Sequence, residues 1–373
     1  MKRCLHIVCF DVPYPVSHGG FFDIFYKLQA LKKEGIAIIL HCFMYGRSQQ
    51  PELEKWCNKV YYYTRKTGIR GFSSFLPYIV ASRKNNELIK RLSADDHPIL
   101  LEGTHTTYIL FKNLFPGRTI LYRLHNIEHI YYRQLYQWER YVVKKVYYGW
   151  ESVLLQQYEK KAAIHASMVL TVSEQDGAHF HRYCPAAKID YLPLFLKFEN
   201  IESKTGVGTY ALYHGNLSIN ENEQAVLWLL QAVAPTGMAF IIAGREPSKR
   251  IKAAVGKCHW AQLVINPTDA ALKDLIVNAH INLIYSFNAT GIKLKLIHAL
   301  FAGRHCIINT AAMCHAEIDA CCYIADEPVV LQQMMERLKD IYFTKDEIEQ
   351  RRAVLLKHFN NKINAERLIQ YLP

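Results

Sequence analysis

The stretch Ala289-Thr-Gly-Ile-Lys-Leu-Lys-Leu-Ile-His-Ala-Leu-Phe-Ala-Gly-Arg-His-Cys-Ile-Ile-Asn309 follows a short apolar run, Ile281 to Tyr285, and ends in a second, Arg304 to Ile308. Two apolar runs separated by a glycine turn and a helical pattern read as strand, turn, helix, strand, with Gly291 opening the helix and Gly303 closing it. At 100° per residue, Leu294, Ile297, Leu300 and Phe301 share one side of that helix, while Gly291, Lys295, His298 and Ala302 share the other. The expected helix therefore packs by one face. Its open face carries a cation and an imidazole in line with an N-terminus whose free amides and positive dipole end suit a phosphate.

Outward from this unit the same alternation covers the chain. Strands are expected at 4–10, 36–43, 59–63, 98–102, 119–124 and 167–172, then again at 209–214, 238–243, 262–266, 281–285, 304–308 and 321–324, with helical patterns between. Strands regularly separated by helices predict parallel sheets covered on both faces, and 373 residues are a natural length for two such domains. The fold class is thus α/β, two Rossmann-like doubly wound domains. The expected boundaries are 1–185 for the first domain, 186–208 for a linker rich in Pro, Gly and polar residues, 209–345 for the second domain, and 346–373 for terminal helices packing back toward the first.

Composition narrows the function classes. Half the residues are hydrophobic and 21% charged, which excludes disordered and fibrous chains. The net charge of +12 is uneven: residues 1–185 hold 25 Lys or Arg against 15 Asp or Glu, and the remainder 20 against 18. The basic surplus of the first half suits nucleic acid, anionic lipid or an anionic substrate. No nucleic-acid-binding module is recognisable, so nucleic acid is not an expected partner. The stretch Trp138 to Lys161 mixes Tyr141, Tyr147, Tyr148 and Trp150 with Arg140, Lys144, Lys145, Lys160 and Lys161, a pattern that fits an anionic membrane surface as well as an ordinary packed surface helix. The ten cysteines form no regular framework and several lie in apolar strands, so they read as reduced, in a cytoplasmic protein. The N-terminal apolar run stops at Asp11 and Pro13, too short for a signal peptide or a membrane span.

In the first half, Gly19 and Gly20 open a helix after the first strand, either as a tight turn or as a place where backbone approaches a ligand. Neither Gly-x-Gly-x-x-Gly nor a phosphate-loop motif is present. One competing motif stands out: His125-Asn-Ile-Glu128-His129 fits the His-x-x-Glu-His of inverted zincins, with Glu151 and Glu159 as nominal third ligands. His125 directly follows the strand expected at 119–124, so it precedes the helix instead of sharing a helical face with His129. Glu151 and Glu159 look unremarkable on a long charged helix. The groups His179/His181/Cys184 and His305/Cys306/Cys314/His315/Cys321/Cys322 match no common zinc spacing.

Taken together, the segments resemble the retaining family 4 glycosyltransferases of GT-B architecture. The resemblance is carried by Pro15-x-Ser17-x-Gly19-Gly20, His125-Asn126-Ile127-Glu128, Thr171-Val-Ser-Glu-Gln-Asp176, Gly215-Asn216-Leu217, Ala243-Gly244-Arg245 and Gly291-Ile-Lys293-Leu-Lys295. It implies two domains facing a central cleft, and a metal-independent bacterial hexosyltransferase without a cofactor, acting in surface polysaccharide biosynthesis. The donor would be a UDP- or GDP-linked sugar and the acceptor a glycan or a lipid-linked glycan. The enzyme would be cytoplasmic, with peripheral attachment to the inner membrane face as a further expectation.

The resemblance assigns the catalytic position to His125. It assigns the nucleotide sugar to Gly19, Gly20, Gly215, Asn216, Arg245, Thr290, Gly291, Lys293, Lys295 and His298. Lys293 projects about 200° from Gly291 on a helical wheel, so it is the weaker of the two lysines. Two departures stand out. Thr290 and His298 occupy the positions of the family's usual paired glutamates, and the Arg and Lys common after the second domain's first glycine turn are missing. Phosphate binding then leans on Lys295, Lys293 and Arg245. The departures also motivate a rival, a non-catalytic GT-B protein that binds a glycan or a partner. A nucleotide-sugar epimerase or hydrolase on the same fold is the other alternative.

Overall fold

A computed structural model describes residues 3–16, 19–139, 141–288 and 290–373. Ser17 of the first glycine loop, Arg140 of the aromatic-basic stretch and Ala289 lie outside the described residues. The chain divides into two compact units: one runs to Lys197 and takes in Phe359–Pro373, the other is Phe198–His358.

The first unit holds a seven-stranded sheet of β1 (Cys4–Cys9), β2 (Ala37–Met44), β3 (Lys59–Thr64), β4 (Ile99–Glu102), β5 (Ile120–Leu124), β6 (Met168–Thr171) and β7 (Ile189–Tyr191). Every pairing is parallel, in the order β3-β2-β1-β4-β5-β6-β7. β4 and β5 are buried at every residue, as a sheet covered on both faces requires. The helix Gly19–Lys33 packs Phe21, Ile24, Phe25, Leu28 and Leu31, spaced three and four apart, on one face of the sheet.

The second unit repeats the plan with β8 (Tyr210–Asn216), β9 (Ala239–Arg245), β10 (Ala261–Ile265), β11 (Ile281–Ile284), β12 (His305–Ile308) and β13 (Tyr323–Ile324). This sheet is also parallel, in the order β10-β9-β8-β11-β12-β13. Strand order reverses between β1 and β4 in one unit and between β8 and β11 in the other. In such sheets the crevice at the carboxyl ends of the reversing strands is where ligands bind.

Two boundaries differ from those expected. The segment expected as a linker contains β7, and Leu192, Leu194, Phe195 and Leu196 after it are buried in the first unit. Its irregular backbone is tolerated there because Arg123 donates to the carbonyls of Thr171, Leu192 and Pro193. The terminal helices divide between the units. Lys345–His358 stays with the second unit, where Arg351 donates to the carbonyls of Gly303 and Arg304. Asn361–Ile369 belongs to the first, with Asn361 exchanging hydrogen bonds with Leu196 at 2.9 and 2.7 Å and Arg367 paired with Asp190. Among the described residues, no helix is long and apolar enough to cross a membrane.

Candidate functional site

In the second unit the helix after β11 spans Leu294–Ala302, three residues later than expected. Gly291 has φ +68°, a left-handed conformation that no α-helix accommodates, so it shapes the preceding turn and Lys293 becomes the N-cap. The Lys293 side chain makes no capping bond, and with the Leu296 amide on the Lys293 carbonyl, the amides of Leu294 and Lys295 are the ones that suit an anion.

Lys295 turns inward, not out to solvent. Its Nζ donates to the Tyr285 carbonyl at 2.7 Å, to the Tyr213 hydroxyl at 3.1 Å and to Asn222 Oδ1 at 3.4 Å. All three acceptors are neutral. Burial pulls the ammonium down to about 7, against the raising influence of Glu221 and with a further push from Lys293. Glu221 is itself held by the Ser286 hydroxyl.

Lys293 also departs from its wheel position because it precedes the helix: its Nζ lies 2.6 Å from the Thr290 carbonyl and 3.3 Å from that of Gly291. Ala302, expected on the open face, is buried. Thr290 is buried as well, and its amide and hydroxyl both donate to Asn288 Oδ1, at 2.9 and 3.0 Å. The His298 ring meets Phe198 edge-on at 4.9 Å, and Phe198 stacks on Phe301. Gly215 and Asn216 end β8, where Asn216 Oδ1 accepts from the amide and hydroxyl of Ser218. Gly244 is held to glycine by contact, since a Cβ there would lie 2.0 Å from the Gly215 carbonyl oxygen. Arg245, by contrast, is 62% exposed, with its guanidinium 3.9 Å from Asp269.

In the first unit His125 follows β5 directly, and its Nε2 donates to Glu102 Oε2 at 2.8 Å. Behind it runs an unbroken chain of buried charge. Lys27 Nζ bridges Glu102 Oε1 at 2.7 Å and Asp23 Oδ2 at 2.8 Å, and Arg123 grips both Asp23 oxygens at 3.0 and 3.1 Å. Asp23, Lys27, Glu102 and Arg123 are all 0% exposed. Burial alone would raise both carboxyls, but Arg123 and Lys27 hold Asp23 far below its usual range, and Lys27 with His125 holds Glu102 low. Fixing the proton on Nε2 leaves Nδ1 of a neutral His125 as an acceptor. A Cβ added at Gly20 would sit 3.9 Å from that Nδ1 and 3.0 Å from Phe10 Cζ, so the glycine loop and the imidazole share one space.

No sequence profile of a known protein family matches the chain. A Klebsiella pneumoniae protein, described as an uncharacterized 44.6 kDa protein in the cps region, is 27% identical over 317 residues, 79% of each chain. Among solved structures, Staphylococcus aureus TarM, in complex with fondaparinux, α-GlcNAc-glycerol and UDP, superposes with a TM-score of 0.68 at 10% identity, covering 100% of this chain and 99% of that one. Anabaena HepE in complex with UDP and glucose gives 0.66 at 10% identity over 98% of both chains. The fold is GT-B.

On this GT-B chain the zinc motif dissolves into two separate contacts. The helix begins at Glu128, so His125 is not on it; His125 answers to Glu102, and His129 Nδ1 lies 2.7 Å from Glu159. Glu159 and Glu151 are far from unremarkable. Both are fully buried, Glu159 accepts the Glu128 amide at 2.8 Å, and Glu151 accepts the Tyr78 amide at 2.8 Å. Among the described residues, the one group with three metal-capable atoms within 4.8 Å of one another is Asp23, Glu102 and His125. Lys27 and Arg123 already balance its carboxylates, which leaves no net negative charge to attract a cation.

Asp23, Lys27, Glu102 and Arg123 belong to none of the sequence motifs. Their signal was charge in the wrong place: an Asp–Lys pair four apart inside an apolar helix stripe, an Arg within Ile120–Leu124 and a Glu closing Ile99–Glu102.

Proposed function

We propose that this chain is a glycosyltransferase that moves a sugar from a UDP- or GDP-linked donor to a glycan or lipid-linked acceptor with retention, during assembly of a bacterial surface polysaccharide. The observation that carries the reading is Lys295, a desolvated ammonium with only neutral hydrogen-bond partners beside an uncapped helix start at the β8/β11 crevice. A diphosphate there gains the helix amides and converts Lys295 to a fully charged partner, stabilising the leaving group without a metal ion. His125, preorganised by Glu102, offers Nδ1 to a hydroxyl of the transferred sugar. The UDP bound by TarM and HepE supports the donor class, and the cps-region relative supports the polysaccharide setting.

The test is a thermal-shift panel of UDP-, GDP- and TDP-sugars followed by product analysis. A rise in melting temperature with one base, and transfer with the anomeric configuration kept, is the expected result. The reading fails if none of these donors binds, is hydrolysed or is transferred. Inverted product would remove retention alone. Undiminished transfer in EDTA is expected.

A cytoplasmic position at an anionic bilayer belongs to the same reading. Its support is the solvent-facing stripe Val142, Val143, Val146, Trp150 and Val153 beside Lys144, on the basic unit. Co-sedimentation with phosphatidylglycerol vesicles, and none with phosphatidylcholine, is expected. The inward-turned Thr290 favours one rival, a non-catalytic binding protein, which would bind UDP or saccharide with no turnover.

A further inference from the structure

The carboxyl edge of the first sheet holds cations that the donor site does not use. Arg83 is buried, and its Nε and Nη1 donate to the carbonyls of Phe10 and Ile79, both at 2.8 Å. Among the described residues its Nη2 has no acceptor and no carboxylate reaches ion-pair distance. Arg65 is tied to the same place, donating from Nε to Ser82 Oγ at 3.0 Å with its guanidinium 4.2 Å from the Tyr45 ring centroid. The His105 ring lies tilted against Phe10, centroids 5.2 Å apart, and its buried Nδ1 has no partner among the described residues. The three groups feel one another. Burial and then Arg65 pull Arg83 down to about 9, and burial followed by Arg83, Arg65 and His125 pulls His105 well below its ordinary value.

The carboxyls that act on Arg83 from farther off do not cancel it. Asp11, held by the amides of Val12 and Tyr45, acts on it only from beyond ion-pair distance, and burial followed by Glu159 pushes Glu128 up to about 8. The contrast with Arg123 is instructive. That guanidinium meets Asp23 and three carbonyls, as a structural arginine should, whereas Arg83 keeps an unspent donor edge. A buried guanidinium without an ion-pair partner is costly, and an oxyanion with bidentate geometry is the ligand that relieves it.

We propose that Arg83, flanked by Arg65 and His105 Nδ1, binds an oxyanion of the acceptor, a sugar carboxylate or a phosphate. The word acceptor rests on the glycosyltransferase reading; the anion site itself does not. The test is calorimetry on the full chain with UDP at saturation, using glucose 1-phosphate, glucuronate and glucose as probes. At least one anion should bind where glucose does not, and which one does so distinguishes phosphate from carboxylate. Arg83→Gln should weaken that binding at least tenfold and Arg65→Gln severalfold, with the exposed Lys90→Gln unchanged. Should Arg83→Gln fail to fold, Arg83→Lys replaces it, and loss of the planar fork should still weaken the anion. The proposal is overturned if neither anion outbinds glucose, or if folded Arg83 and Arg65 variants bind it as well as the parent. Failure of UDP to bind would instead count against the donor reading, and the Arg83 comparison would still decide this one.

Discussion

The two crevices solve the same problem, placing charge at the end of a parallel sheet, in opposite ways. At the first, His125 ends a chain of four fully buried ions whose charges cancel, Glu102, Lys27, Asp23 and Arg123. At the second, Lys295 is desolvated among a carbonyl, a hydroxyl and an amide oxygen, and burial pulls its ammonium down to about 7. A balanced network is rigid and expensive to break. An unbalanced cation is a poor stabiliser and a ready receptor. The difference separates an imidazole held in one orientation by paired charges from an ammonium held only by neutral acceptors.

The sharpest way to break this comparison is stability. Asp23→Asn strips Arg123 of its carboxylate partner, leaves Lys27 to Glu102 alone, and should cost about 3–5 kcal/mol in urea unfolding. Lys295→Met removes a charge that folding had to desolvate and should cost nothing or stabilise. Equal losses at the two sites would sink the contrast. Binding comes next: Lys295→Met should weaken UDP by roughly tenfold to a hundredfold, the worth of a charge-assisted hydrogen bond of about 1.5–3 kcal/mol, read by calorimetry.

A third measurement uses pH. The Lys295 ammonium is depressed to about 7 in the free protein, and a bound diphosphate raises it, so UDP binding should take up a proton. Affinity then falls by up to about tenfold per pH unit above 7, and Lys295→Arg should flatten the dependence. A fourth measurement concerns Glu128, a carboxyl that burial and then Glu159 push up in the first unit. Its folded value of about 8 lies above the unfolded one, so its contribution to stability is complete in acid and is lost as pH rises through 8. Glu128→Gln should match the parent at pH 4 and outlast it in thermal melts at pH 8–9.

The parallel α/β plan was legible because strands buried on both faces read as short apolar runs, and β1, β4 and β11 stand out in the bare sequence. β7 was not: three half-buried residues between prolines carry no pattern of their own, and Arg123 satisfies the backbone around them from a distance. The glycine turn at Gly291 was visible, but not which way the lysines after it point. A helical wheel assumes the helix starts at its glycine, and a positive φ moved that start to Leu294. The buried ion chain was unreadable as a site because its members are up to a hundred residues apart, as Asp23 and Arg123 are. Each looked like an isolated irregularity until the sheet brought them together.

The return of the last helix to the first unit has a consequence for how the protein is made. The second unit is one continuous stretch inserted into the first, and Ala365, Leu368 and Leu372 complete the same core as Ile24 and Leu28. On the ribosome, Ile24 and Leu28 wait for Ala365, Leu368 and Leu372 while the whole inserted unit emerges between them. During that interval the nascent chain carries an unfinished apolar face, on which a chaperone can act. Loss of the segment 359–373 would spare every residue of the β8/β11 crevice and still strip Ala365, Leu368 and Leu372 from the core of the first unit.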